Sequence, residues 1–466
     1  MRQRIARLLY LSVVILVTSC ASYYYSHLDF NKEFEQGDLR QALETLQKSD
    51  KLAHSKSRFL YYVNNGLLLS ILGNYKESNE YFEKAYLFGE DYQKNYANIM
   101  ASFLTNPNVI MYYGEDHEHL LVLYYKAINY LKMKKYEEAL VECRRLNIRL
   151  QQLSDKYTSE NKFRQDAFIH TLMGIIYQTT RDYNNAFIAY RNALEVYEND
   201  YARLFNLPPP EQLKKDLLNT AAWTGFAEEF EHYKSLFGME DYVPAPPGTE
   251  LVFFWHNGLG PVKDEWSINF AIHHEANNKV VFRNDRIGVD FPFSLDDDND
   301  RRNLAKLEVF RVAFPRYVER PVYYEEAVLE AGGKCYVLEE VEDINKIAHH
   351  SLKERMLLEF SQGLLRVALK KATEHSLRKE HESLGAMLGM LNAMTEHADT
   401  RNWQTLPHSI LYARLPLQKG SNKIHFSLKR GDSEDSHDFT YTANPGETLF
   451  HTFSSLETRG PGGGYY

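Results

Sequence analysis

The chain has 466 residues, 44% of them hydrophobic and 25% charged, ordinary values for a globular protein that exclude disordered and collagen-like classes. At about 100–200 residues per domain, this length predicts about three domains, or a repeat array plus one. Lys and Arg number 54 against 63 Asp and Glu, a net charge of −9; without a basic surplus to track phosphates, no nucleic acid is expected as a partner.

Residues 1–20 read MRQRIARLLYLSVVILVTSC. Arg2, Arg4 and Arg7 precede an apolar run from Leu8 to Val17, the charge-then-hydrophobic order of a secretory signal. The run is half of the ~20 residues that a spanning helix needs. It closes in Val17-Thr18-Ser19-Cys20, which resembles a bacterial lipobox. That resemblance implies removal of residues 1–19, a lipid on Cys20 and a tether over 20–29. Ala21 in the next position points to the outer membrane, facing the periplasm. At ~0.8 kcal/mol per buried CH₂, several acyl chains on one cysteine anchor a protein almost irreversibly. Cys143 and Cys335 are the remaining cysteines; one pair builds no disulfide framework, and Cys143 is expected as a buried free thiol.

Three segments then share one spacing. The first has Gly66, Leu69, Gly73, Tyr75, Ser78, Phe82 and Ala85; the second Ala127, Tyr130, Lys134, Tyr136, Ala139, Cys143 and Leu146; the third Gly174, Tyr177, Arg181, Tyr183, Ala186, Tyr190 and Ala193. The small residues admit close helix pairs and the aromatics plug the turns between them. This pattern resembles the tetratricopeptide repeat. A partial unit lies at Gly37, Leu39, Ala42 and Leu46, and a proline-led helix pair at 211–237 is placed to cap the array. Successive units are 36, 61 and 47 residues apart, counted from Ala42 to Ser78, Ala139 and Ala186. Against an ideal of ~34, that leaves room for a helix near 95–114 and an insertion near 151–163.

The concave positions of such an array are Leu60, Val63, Leu67, Leu121, Tyr124, Ile128, Phe168, Thr171 and Ile175. They lack the Lys, Arg and Asn that grip a peptide carboxylate. The groove therefore either holds a hydrophobic partner segment or is covered by the C-terminal part of the same chain. The second is favoured, because a monomer rarely exposes so large an apolar patch.

The Pro/Gly stretch 241–249 reads as a linker. Beyond it the period changes to aromatic and β-branched runs at 251–255, 266–270, 279–283, 307–314 and 320–330, and again at 410–417, 423–428, 438–443 and 447–453, all read as strands. Helices are expected over 344–379 and 384–394, a hairpin insertion spanning about 342–395. The predicted fold is thus multidomain: an all-α solenoid of tetratricopeptide type over 30–240, then an α+β, sandwich-like domain over 250–456. Residues 457–466 form a glycine-rich, flexible tail.

Candidate chemistry is sparse. In the acidic run from Asp296 to Asp300, a calcium loop would place its glycine at Arg301 and its bidentate glutamate at Leu307, so a solvated acidic loop is expected instead. Glu115-Asp116-His117-Glu118-His119 begins a helix, where acidic residues suit the positive dipole end; alternate histidines there do not converge. His256-Asn257-Gly258-Leu259-Gly260-Pro261 sits between strands and reads as a tight turn. His349 and His350 are adjacent on a helix and face apart. Gly385 and Gly389 are spaced for helix contact. In Asp399-Thr400-Arg401-Asn402-Trp403 the three residues Asp399, Arg401 and Trp403 either bind a ligand by stacking and charge or lock a corner through an internal Asp–Arg pair. The lock is favoured. No nucleotide-loop, zinc-protease, nucleophile-elbow or paired-cysteine motif occurs, so no catalytic residue, metal or cofactor is expected.

Three strings carry a wider resemblance. They are Tyr113-Gly114-Glu115-Asp116 leading into Tyr125-Lys126-Ala127 and on to Glu142-Cys143-Arg144-Arg145, then Gly258-Leu259-Gly260-Pro261-Val262-Lys263, then Asp399-Thr400-Arg401-Asn402-Trp403 with Leu406-Pro407 and Arg414. Together they resemble a family of tetratricopeptide-containing bacterial lipoproteins. The resemblance implies a membrane-anchored, non-catalytic scaffold in envelope assembly, with an envelope protein as partner. A ligand-binding or enzymatic C-terminal domain acting on an envelope polymer or small molecule is the alternative.

Overall fold

The computed structural model describes residues 27–48, 52, 54–93, 111–155, 163–275, 279–284, 289–295, 297–355, 364–365, 367–373 and 398–457. The signal segment with Cys20, Asp296, the second insertion helix with Gly385 and Gly389, and the tail beyond Glu457 lie outside them. So do most of 95–114 and of 151–163.

The N-terminal region is a TPR-like stack of helix pairs. These are α1 (Leu28–Glu35) with α2 (Leu39–Gln47), α3 (Arg58–Ile71) with α4 (Tyr75–Gln93), α5 (Asp116–Lys132) with α6 (Tyr136–Ser154), and α7 (Ala167–Thr179) with α8 (Tyr183–Val196). Each pair turns at one equivalent position, where Gly37, Gly73, Lys134 and Arg181 all have left-handed φ between 57° and 85°. Asp38 and Asp182 then cap the second helix, their side chains accepting from Gln41 N and Asn185 N, which satisfies donors that have no intrahelical partner. Close approach within pairs is absolute at the small residues: a Cβ on Gly66 would stand 2.7 Å from the Phe82 ring, and one on Gly174 would strike the Tyr190 ring. A π-helical turn (Tyr197–Tyr201) runs into the short α9 (Ala202–Phe205). The array ends in α10 (Glu211–Thr224) and α11 (Ala227–Leu236).

The C-terminal region is β-rich, and its described residues form three four-stranded sheets. The first has the order β12-β1-β9-β8, from β1 (Glu250–Asn257), β8 (Glu339–Asp343), β9 (Ser409–Pro416) and β12 (Thr448–Ser455). β1 pairs parallel to β12 and antiparallel to β9. The second, β11-β10-β6-β7, joins β6 (Glu326–Ala331), β7 (Lys334–Val337), β10 (Gly420–Arg430) and β11 (Ser433–Ala443). The third, β4-β3-β2-β5, comprises β2 (Val262–His274), β3 (Lys279–Asn284), β4 (Val289–Ser294) and β5 (Val309–Val318). Helix α12 (Asp298–Leu304) precedes β5, and α13 (Ile344–Arg355) opens the insertion.

The strand expected over 320–330 begins only at Glu326; Pro321 supplies no backbone donor to a ladder. β4, β7 and β8 are not legible as strands in the sequence. β4 carries Pro292 at a sheet edge, β7 is four residues long, and β8 reads Glu-Glu-Val-Glu-Asp.

Sheet one is the middle of three layers. Its β1 residues Val252 and Phe254, with Ile410 and Tyr412 of β9, join the core of the helical repeat. The alternate residues Leu251, Phe253 and Trp255 face Ile424, Phe426 and Leu428 of sheet two. A strand buried on both faces has no polar side, hence the unbroken LVFFW. Sheet three has its own core of Ile268, Phe270, Phe282 and Phe310, closed by Leu364, Val367 and Ala368 of the insertion.

Candidate functional site

The groove of the repeat is filled by the chain's own β-rich region. All nine concave-face residues, from Leu60 to Ile175, are buried, none more than 8% exposed. Thr171 turns its hydroxyl to the Ala167 carbonyl of its own helix, at 3.0 Å. Phe168 meets Phe254 edge-on at 5.9 Å between centroids. The Tyr124 hydroxyl lies 2.9 Å from His256 Nε2, a contact that fixes where β1 sits on α5. Burial drives the His256 imidazole down to about 3, so it is neutral at any physiological pH.

The loop between the insertion and β9 enters the groove beside this strand. Trp403, 1% exposed, lies 6.0 Å from the rings of both Phe82 and Tyr125. Its backbone N–H donates to Glu118 Oε1 at 2.6 Å, its indole N–H to Thr405 Oγ1 at 2.9 Å, and Thr405 in turn to Asn64 Oδ1 at 2.7 Å. Arg401 makes a bidentate pair with Asp399, Nη2 to Oδ2 at 2.6 Å and Nε to Oδ1 at 2.8 Å. The guanidinium also lies 5.2 Å from the centroid of the Tyr112 ring. Asp399 and Arg401 thus bond to each other, and Trp403 bonds to Glu118 of the repeat.

The three distinctive strings of the sequence meet at this corner. Lys263 of the second string forms a buried ion pair with Glu115 of the first. Asn402 of the third accepts from Lys263 N at 3.2 Å and donates to the Pro261 carbonyl at 2.8 Å. Gly260 N donates to the Leu406 carbonyl at 2.7 Å. Arg320, which the sequence does not single out, donates to the carbonyls of Gly260 and Gln404 and pairs with Glu35 of α1 at 3.0 Å. Beside Glu115, His117 packs against Tyr317 of β5, while His119 packs against Phe59 within the repeat. His349 and His350 do face apart, toward Tyr317 and Phe205.

A second buried lock centres on Arg414 of β9. It reaches Asp216 of α10 at 2.8 Å, Glu250 of β1 at 2.7 Å, and Gln178 and Tyr190 of the last repeat pair at 3.0 Å each. Farther along the groove Glu339 of β8 accepts from the N–H groups of Glu211 and Gln212 at 2.7 and 2.9 Å, capping α10 from outside with a negative charge at its positive end. The signal that marks these residues is a lone charge inside an otherwise apolar strand or helix. That signal is present for Arg414 in ILYARLPL and absent for Glu342 in an acidic run.

Buried carboxyls line the join. Glu342 of β8 accepts from the Tyr201 hydroxyl at 2.9 Å, beside a void of about 20 Å³ that Asp166 also borders, the size of one water. Burial raises the Asp166 carboxyl to about 6 and Glu118 to about 7, and it holds Glu342 well above the usual range, with the Asp166 charge adding to the effect. A carboxyl with a raised folded-state pKa binds its proton more tightly folded than unfolded. Stability from these groups is therefore greatest below pH ~4 and falls by ~1.4 kcal/mol per pH unit per proton as pH rises to the folded value. Glu342→Gln keeps the Tyr201 bond and removes the titration. It is expected to raise the melting temperature more at pH 8 than at pH 5 in calorimetric scans. Equal gains at both values would mean that Glu342 is already ionised in the fold.

No protein-family model matches the chain, and no curated protein matches it. Among solved structures it is similar to BtubC (BKLC) from P. vanneervenii, at 18% identity over 48% of this chain and 79% of that one, with a TM-score of 0.27. It is also similar to two structures of a Podosopora anserina putative kinesin light chain with nearly identical TPR-like repeats, one of them a point variant. Both show 13% identity over 47% of this chain and 96–97% of theirs, with TM-scores of 0.30. At these scores no property of those proteins passes to this one.

Proposed function

We propose that the protein is a non-catalytic interaction scaffold of a bacterial envelope, lipid-anchored through Cys20 at the outer membrane and facing the periplasm. One observation supports the scaffold reading above the others. The charged and aromatic groups that the sequence offers for chemistry are used to fasten the β-rich region into the groove of the repeat. A site that turns over a substrate keeps reactive groups at a space the substrate enters. Groups bonded to each other across a core hold surfaces in fixed relation instead. With the concave face occupied from within, partners meet the outer flank of the helices and the outer strands.

The test uses the full chain expressed in a diderm bacterium. Wild-type protein is expected in the membrane fraction, with a mature N-terminus at a lipid-modified Cys20 by mass spectrometry. Cys20→Ala is expected to leave a larger, unmodified precursor. Photocrosslinkers distributed over the exposed surface are expected to return one recurring envelope protein. Self-contacts alone from every position would overturn the scaffold, and an unmodified wild-type Cys20 would overturn the anchor.

A further inference from the structure

Among the described residues six strands stand at the margins of the three sheets, and five of them are guarded. β8 is covered by the repeat, where the Tyr197 hydroxyl donates to the Val341 carbonyl at 2.9 Å. β11 carries Glu434, Asp435 and Asp438, β4 carries Pro292, β5 carries Pro315, and β7 has only four residues. Charge, proline and shortness are the usual obstacles to pairing with another chain. β12, TLFHTFSS, has none of them over its eight residues, and the six in its middle are half-buried. Glu250 N donates to the Glu447 carbonyl, and the in-step parallel pairing that follows commits the odd-numbered residues of β12 to β1. The N–H and C=O groups of Phe450, Thr452 and Ser454 therefore point away from β1. Among the described residues one of these groups has a partner: the Phe450 carbonyl accepts from Lys132 Nζ of α5 at 3.1 Å.

This open edge belongs to the middle layer, so it runs between two walls. On one side Phe450 meets Tyr136 of the repeat at 6.4 Å between ring centroids; on the other His451 meets Phe439 of sheet two at 4.7 Å. The Lys132 ammonium finds no carboxylate among the described residues, and burial lowers it to about 8. These features select an occupant. An unpaired edge takes an extended backbone, in which main-chain bonds give affinity and alternate side chains give specificity. Aromatic walls on both sides favour apolar side chains, and a half-buried cation without a counter-charge is stabilised by a carboxylate brought to it. A second copy of the chain offers no such anion from its own edge, since β12 contains no Asp or Glu. We propose that β12 is a strand-addition site, at which an extended, largely apolar segment of a partner protein pairs with the outer edge and carries one Asp or Glu to Lys132. The proposal deepens the scaffold reading and rests on it.

A photocrosslinker at Thr452 of the full chain in cells is expected to capture one recurring segment of an envelope protein. That segment, made as a synthetic peptide, is then titrated against the purified protein. Methylating its backbone nitrogens one at a time is expected to abolish binding at every second position and to spare those between, the period of a paired strand. Lys132→Gln, which keeps a donor for the Phe450 carbonyl, is expected to weaken binding about tenfold at an unchanged melting temperature. Replacing the peptide's acidic residue by its amide is expected to weaken binding to the wild type equally. Capture only of a second copy or of the same chain overturns the inference. So does a peptide indifferent to Lys132→Gln, or one that backbone methylation weakens at all positions alike. If Thr452 is silent while other positions capture an envelope protein, strand addition falls and the scaffold stands. If every position is silent, both fall.

Discussion

Trp403→Ala is expected to destabilise the protein by about 3–5 kcal/mol, the loss usual for a fully buried tryptophan. Three effects contribute to that figure. The indole leaves a cavity beside Phe82 and Tyr125, which stack on each other at 5.8 Å and belong to different repeat pairs. Its N–H bond to Thr405 is lost, freeing the Thr405 hydroxyl from its place against Asn64. The backbone bond to Glu118 survives only if the loop stays seated. Chemical denaturation followed by circular dichroism measures the loss, and limited proteolysis locates it: cleavage is expected first within 398–408. A variant as stable as wild type would mean that the loop is held by its polar contacts, those of Asp399–Arg401, Asn402 and Arg320 and the bond from Gly260 N, without the indole.

Arg414→Ala is expected to cost a similar ~3–5 kcal/mol, because it strands buried Asp216 beside Glu250 without a cation. Asp216 comes from α10 and Glu250 from β1, so the two regions that the arginine joins would then repel each other. Arg414→Lys is expected to recover only part of the loss: one ammonium cannot reproduce the fork that serves Asp216, Glu250, Gln178 and Tyr190 together. Replacing Arg414 with methionine and Asp216 with leucine removes both buried charges and is expected to be milder than Arg414→Ala. If the double variant is instead the least stable of the three, packing rather than charge dominates this corner. Equilibrium unfolding of the three variants beside wild type decides between these outcomes.

The repeat is legible in the sequence because its constraint is local. Gly73, Lys134 and Arg181 occupy one turn position in three copies, and the residues two and five further on repeat with them. The apolar concave face is legible for the same reason, and its composition already requires a cover. The identity of the cover is not local. LVFFW reads as a buried strand without disclosing which of its faces meets helices and which meets a second sheet. β8 defeats the usual rule altogether, since Glu342 and Asp343 are buried in an acidic run. Lys126 belongs to the first of the distinctive strings, a single charge within the apolar LLVLYYKAINYL, and it is a buried, paired ion.

The pairing of β1 with β12 and β9 has a consequence for how the chain reaches this state. Glu118 must wait for Trp403, 285 residues later, and Asn31 for Gln404, 373 residues later. Contacts so distant in the chain form slowly. A chain emerging N-terminus first completes its helix pairs while Tyr124 and Phe168 still face water, and such exposed surface attracts aggregation. The repeat made alone, without the strands that cover its concave face, is therefore expected to aggregate.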